Sequence, residues 1–210
     1  SGASPSFDAN KLNMTNYLNP LVSYSYEPGS TMKIYSFMSA IDSDLYNGDE
    51  KYMSGTIKVS DATIKDFNNV GWGSITFDEG FSYSSNVAAT ILSQRLGKEK
   101  LSEYYEKFGF GKQTGITLPE EASGTIDFNY ATEIATASFG QGITTTPIQN
   151  IQALTTLAND GVMLKPYIIS KIVDSATKEV IYEGKREEIG QIVKKTTTDK
   201  MKTMMHDVVY

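Results

Sequence analysis

Cysteine is absent from the 210 residues, which excludes disulfides, thiolate metal sites and a cysteine nucleophile. Histidine is reduced to His206; with no metal-ligand partner in its pattern, it reads as surface or packing. Tryptophan occurs once, as Trp72 between two glycines. It and the tyrosines read as core and cleft wall, not as a cofactor site. Basic excess is missing too: 19 Lys and Arg stand against 25 Asp and Glu, a net charge of -6. That balance disfavours nucleic acid as a partner and leaves no basic patch for a membrane surface. No apolar run is long enough to span a bilayer, and no signal peptide is present. There are no repeats and no low-complexity tract. The opening Ser1-Gly2-Ala3 looks like a cut end, so a longer parent with an anchor is expected. The length suits one domain or a large piece of one.

What is present centres on Tyr26-Glu27-Pro28-Gly29-Ser30-Thr31-Met32-Lys33. Behind it, Ile34, Phe37, Met38 and Ile41 recur at helical spacing, which predicts a helix from about Ser30 to Ile41. Pro28-Gly29 predicts a sharp turn presenting Ser30 at a surface. Three apart on a helix, Ser30 and Lys33 share a face and come within hydrogen-bond reach. A serine becomes a nucleophile when a base takes its proton, and a lysine that has lost its own can be that base. The same residues also fit a plainer role, Ser30 as a cap and Lys33 as a solvated charge. Ser175-Ala176-Thr177-Lys178 repeats the spacing and is an internal control. It lies between strand-like runs, Tyr167 to Val173 and Glu179 to Tyr182, and reads as a hairpin turn with no helix to align its lysine.

The remaining pattern is mainly helical. Residues 1–25 read as polar loop. Gly55 to Val59 predicts a short strand and Ser74 to Phe81 a short helix. Val87 to Leu96 predicts a helix ended by Gly97, and Leu101 to Phe108 another closed by Gly109. Asp66 to Gly73 and Gly109 to Gly124 read as loops. Thr146 as N-cap with Pro147 behind it opens a helix lined by Ile148, Ile151 and Leu154 and stopped by Gly161. A last helix from about Thr198 to Val209 carries Met201, Met204, Met205 and Val208. One hairpin alone is marginal, so further sheet is expected where an α+β protein would continue.

Ser84-Ser85-Asn86 is the sole Ser-x-Asn of the chain and by itself reads as a helix N-cap. Following Ser30-x-x-Lys33, it resembles the active-site serine enzymes that bind penicillin. Glu27 to Lys33, Asp61 to Asp66, Ser84 to Val87, Ser138-Phe139-Gly140-Gln141-Gly142 and Ala158 to Met163 together resemble class B penicillin-binding proteins of the division type, from about Pro5 to the last helix. The resemblance implies an α+β, penicillin-binding transpeptidase or serine β-lactamase-like fold. Residues 1–210 would be one partial domain, mostly its helical part plus a β-hairpin. It implies a peptidoglycan D,D-transpeptidase in which Ser30 attacks the carbonyl between the two terminal D-alanines of a stem peptide and Lys33 takes its proton. Ser84 relays a proton to the leaving D-alanine and Asn86 holds the acyl-side amide, with Ser85 and Gln141 also on the substrate side. The Ser30 N–H is one oxyanion donor. No metal or other cofactor is implied. The implied partners are stem peptides ending in D-Ala-D-Ala and β-lactam antibiotics. Division proteins are implied beside an extracytoplasmic, membrane-anchored parent.

The family's third motif, Lys-Ser/Thr-Gly, does not occur. Lys112-Gln113-Thr114-Gly115 is a near miss, in a loop too soon after Asn86. A chain without that motif is expected to be weakly active or inactive alone. Two rival readings stay open: a class A-like β-lactamase, with Glu120 or Glu121 activating a water, and a penicillin-sensor or non-catalytic binding module.

Overall fold

The structure, a computed structural model, describes residue 10 and residues 18–209. Apart from Asn10, the loop expected over residues 1–17 lies outside the described residues. After it comes a helical turn, α1 (Pro20–Ser23), where a loop was expected. The Asn19 side chain accepts from the Leu21 N–H and Pro20 supplies a preset first position. A 3-10 turn (Gly29–Thr31) leads into α2 (Met32–Asp42). Four short strands follow: β1 (Lys51–Met53), β2 (Thr56–Val59), β3 (Ala62–Lys65) and β4 (Ser74–Thr76). Next are α3 (Phe77–Ser82), α4 (Asn86–Lys107), α5 (Ala131–Ala137) and α6 (Pro147–Ala158). The chain continues through β5 (Val162–Leu164), β6 (Lys171–Val173), β7 (Val180–Glu183) and β8 (Glu188–Gln191) to α7 (Lys195–Asp207).

The strands form four separate antiparallel pairs, β1 with β4, β2 with β3, β5 with β8 and β6 with β7. More pairing is present than the one hairpin expected, because strands of three or four residues carry no readable alternation. The β6–β7 hairpin stands where the sequence placed it and exposes Ile172, Val173, Val180, Ile181 and Tyr182. Ser74 to Thr76, expected as helix, is strand β4. Thr76 then caps α3 through a capping box with Glu79. Gly97 (φ 75°) ends the first of two helical segments in α4, as the sequence predicts.

Helix α2 is the centre of the core. Its predicted apolar stripe is too narrow: Met32, Tyr35, Phe37, Met38 and Ala40 are all buried, as are Ser36 and Ser39. A helix enclosed on all sides must satisfy its polar groups internally. Ser36 donates to the Ser138 carbonyl at 2.7 Å, shares a hydrogen bond with the Tyr105 hydroxyl at 2.8 Å, and Ser39 donates to the Tyr35 carbonyl at 2.7 Å. The first half of α4 packs along α2 with Val87, Ala88, Ala89 and Leu92, all buried. Helix α6 also buries a different face from the one expected. Ile151 and Leu154 are exposed, whereas Gln149 and Gln152 are enclosed. Gln149 is tolerated there because its amide donates to the Lys112 and Ser123 carbonyls while Oε1 accepts from the Thr146 N–H. Among the described residues no helix is long and apolar enough to cross a membrane.

Candidate active site

The turn before α2 sets the site. Gly29 takes a left-handed backbone (φ 57°) and donates its N–H to the Gly140 carbonyl at 3.0 Å. Gly140 (φ 80°) lies so close that a Cβ on it would overlap the Gly29 backbone. Glu27 fastens the other end of the same loop, accepting from the Gly142 N–H at 2.9 Å. The stretch Ser138 to Gly142 therefore buttresses the serine turn, backbone against backbone. Gln141 is exposed at its tip. A side chain at position 140 would push the turn outward. Gly140→Ala in the full-length protein is thus expected to slow modification of Ser30 by an acylating reagent about 100-fold, the scale of an ångström-sized misplacement. Rates of adduct formation by intact mass measure this, and a rate within twofold of wild type would refute it.

Ser30 is exposed on this turn, and Lys33 is enclosed one helical turn behind it, with 2 % of its surface accessible. The Lys33 Nζ donates to Ser30 Oγ at 3.1 Å, to Ser84 Oγ at 3.0 Å and to the Ser84 carbonyl at 2.5 Å. All three N–H groups of an ammonium are thereby used. Burial pulls the Lys33 ammonium down to about 8, against an opposing upward pull from the Asp66 carboxylate. When Nζ loses its proton, two N–H bonds to Ser84 remain possible. The lone pair then faces the Ser30 hydroxyl, which becomes the donor. The control pair behaves as expected for a turn. Lys178 donates to the Ser175 carbonyl at 2.8 Å, exposed and away from the Ser175 hydroxyl.

Ser84 sits in the link between α3 and α4 with a left-handed backbone (φ 56°). That conformation turns its hydroxyl to Lys33 and its successor inward. Ser85 is fully buried, accepts from the Ala88 N–H as the N-cap of α4 and donates to Asp66 Oδ1 at 2.9 Å. This corrects the expectation for Ser85: its hydroxyl serves the turn and has no free face for a substrate. Asn86 is half-buried, and its amide donates to the Lys65 carbonyl at 2.9 Å. Ser30, Lys33 and Ser84 line a cleft of about 370 Å³ that Ser85, Asn86 and Gln141 do not line; Thr31 and Ser82 are polar parts of its wall, and the rest is apolar, including Ile34, Phe81 and Met205.

Outside the cleft, Glu121 is occupied by the Thr114 N–H and hydroxyl and the Gly115 N–H. Neither Glu120 nor Glu121 lines the space in front of Ser30. Trp72 stacks on Tyr83, ring centroids 4.9 Å apart, and neither ring lines the cleft. His206 is on the exposed side of α7. Among the described residues no three acidic or histidine side chains cluster to hold a metal. Glu27 and Asp66 are parts of the site that spacing did not reveal. Both sit inside the stretches that carried the family resemblance, which is the one signal pointing at them.

The model of the penicillin-binding protein transpeptidase domain matches residues 1–210. Stage V sporulation protein D of Bacillus subtilis is 34% identical over 190 residues, 88% of this chain and 29% of that protein. The crystal structure of penicillin-binding protein 2X from Streptococcus thermophilus superposes with a TM-score of 0.86 at 35% identity, covering 95% of this chain and 29% of that one. Penicillin-binding protein 3 from Mycobacterium tuberculosis, complexed with ampicillin, gives 0.85 at 31% identity, covering 98% and 46%. The chain thus spans about three-tenths of the length of the curated relatives it matches. By sequence model, relatives and fold, the chain belongs to the penicillin-binding protein transpeptidase family, with the character of its class B members.

Proposed function

We propose that the protein containing this chain is a peptidoglycan D,D-transpeptidase. The carrying observation is the buried Lys33 amine held between the hydroxyls of Ser30 and Ser84. Neutral Lys33 takes the Ser30 proton as Ser30 Oγ attacks the carbonyl joining the two terminal D-alanines of a stem peptide. The Ser30 N–H stabilises the oxyanion. The proton passes from Lys33 through Ser84 to the departing D-alanine nitrogen, leaving an acyl-serine. An amine of a second stem peptide attacks that ester, and its proton returns along the same route. Asn86, with an N–H committed to Lys65, offers Oδ1 to the donor's amide N–H, and Gln141 approaches from the loop tip. β-Lactams, which mimic D-Ala-D-Ala, acylate the same serine. Such chemistry works outside the cytoplasm, on a parent anchored to the cell membrane among division proteins.

The occupied state of Glu121 weighs against a β-lactamase, since no carboxylate faces the acyl position from that loop. In the full-length protein, intact-mass measurement with benzylpenicillin is expected to show one penicilloyl adduct that persists, and a chromogenic cephalosporin is expected to stop after one equivalent. Sustained turnover would refute the reading. The resemblance implies that the Lys-Ser/Thr-Gly strand supplies a second oxyanion donor; the 210-residue chain alone has no such motif and is expected to acylate about 10²–10³-fold more slowly, the loss typical of one missing donor.

A further inference from the structure

Asp66 is 1 % exposed and makes no salt bridge among the described residues. A buried carboxylate that makes no ion pair must be held by donors. Asp66 closes the base of the β2–β3 hairpin, with Oδ2 accepting from the Gly55 N–H at 2.8 Å. Its other oxygen, Oδ1, accepts from the Ser85 hydroxyl at 2.9 Å and from the Val87 N–H at 3.1 Å. The last two donors bracket Asn86, and the first of them directly follows Ser84. The carboxylate also meets the first turn of α4, where the positive end of the helix favours it.

We propose that Asp66 is a positioning residue for the acyl transfer: it clamps the Ser84-Ser85-Asn86 turn to the hairpin and keeps the strained Ser84 hydroxyl on Lys33. The proposal rests on the transpeptidase reading above. One carboxylate orders both Ser84 and, through the neighbouring Lys65 carbonyl, Asn86. It is also the charged group that acts on Lys33, opposing the effect of burial. The other groups facing Lys33 are the hydroxyls of Ser30 and Ser84 and the Ser84 carbonyl. Tyr52, on β1, faces Asp66 and Ser85; burial pushes it up to about 12, so it stays neutral at working pH. Removing the charge at position 66 therefore has a definite sign: the Lys33 ammonium loses its stabilising partner and releases its proton at lower pH.

The experiment measures benzylpenicillin acylation against pH in the full-length protein for wild type, Asp66→Asn and Ser85→Ala. In Asp66→Asn the plateau rate is expected to fall about 10–100-fold through loss of positioning, and the acid limb to move down by roughly one pH unit. In Ser85→Ala, which removes one clamp contact and no charge, the plateau is expected to fall while the midpoint stays. A residue that only stabilised the fold would lower the melting temperature and the yield of active protein without moving the midpoint. An unmoved or raised midpoint in Asp66→Asn overturns the proposal. Should Asp66→Asn fail to fold, an unchanged plateau in Ser85→Ala overturns it. A wild-type protein that does not acylate at all would refute the transpeptidase reading instead.

Discussion

Ser30→Ala in the full-length protein is expected to abolish covalent labelling by a fluorescent penicillin, while Ser175→Ala is expected to label at the wild-type rate. The two serines share a spacing to lysine and differ in what lies behind it. Ser30 precedes a buried helix that fixes Lys33 against its hydroxyl. Ser175 lies in an exposed hairpin turn whose lysine bonds a carbonyl. Ser84 is the real competitor, because it receives the same Nζ at 3.0 Å. It is half-buried in the link between two helices, whereas Ser30 projects from the turn. Ser84→Ala should therefore still label, more slowly, and peptide mapping of the wild-type adduct should place it on Ser30. The Ser30→Ala protein keeps both Lys33 bonds to Ser84, so its stability should change by no more than about 1 kcal/mol, the worth of an ordinary hydrogen bond. A penicilloyl adduct on the Ser30→Ala protein sinks the assignment.

Lys33→Arg is expected to slow acylation about 10²–10⁴-fold, the usual range for losing a general base. Arginine keeps its charge at any working pH and cannot accept the serine proton. Its larger head would also enter a space already filled by three hydrogen bonds. The pH dependence of the wild type follows from the same amine. In the proposed reaction Lys33 works neutral, and burial pulls its ammonium down to about 8. Below that value the neutral fraction falls tenfold per pH unit, to about one-tenth at pH 7. Acylation should thus climb with pH and level off above about 8. A flat profile from about pH 6 to about pH 9 would contradict a lysine base.

The serine–lysine pair was legible in the sequence because three-residue spacing on a helix is a local fact. So were the caps of α6 and the breaks at Gly97 and Gly109, where single residues decide the backbone. Long-range support was not legible. Glu27 finds its partner 115 residues away, and Asp66 finds its donors on both sides of it, at Gly55, Ser85 and Val87. Short strands escaped because three residues cannot show a period of two. The orientation of Ser85 escaped for a different reason. Nothing in Ser84-Ser85-Asn86 says which hydroxyl turns inward until the left-handed backbone at Ser84 is known. The buried face of α6 was not legible either, because the groups that satisfy the enclosed Gln149 amide, the Lys112 and Ser123 carbonyls, lie on distant loops.

That left-handed serine sets heat tolerance against turnover. A residue with a Cβ held at φ 56° carries roughly 1–2 kcal/mol of steric strain, and glycine at the same place would carry none. Elsewhere in the fold most such positions are glycine, as at Gly29, Gly97 and Gly140. At position 84 the side chain that strains the turn is the one that meets Lys33. Selection for thermal stability alone would therefore drift toward glycine there and lose the hydroxyl, whereas selection for growth would hold the less stable residue in place.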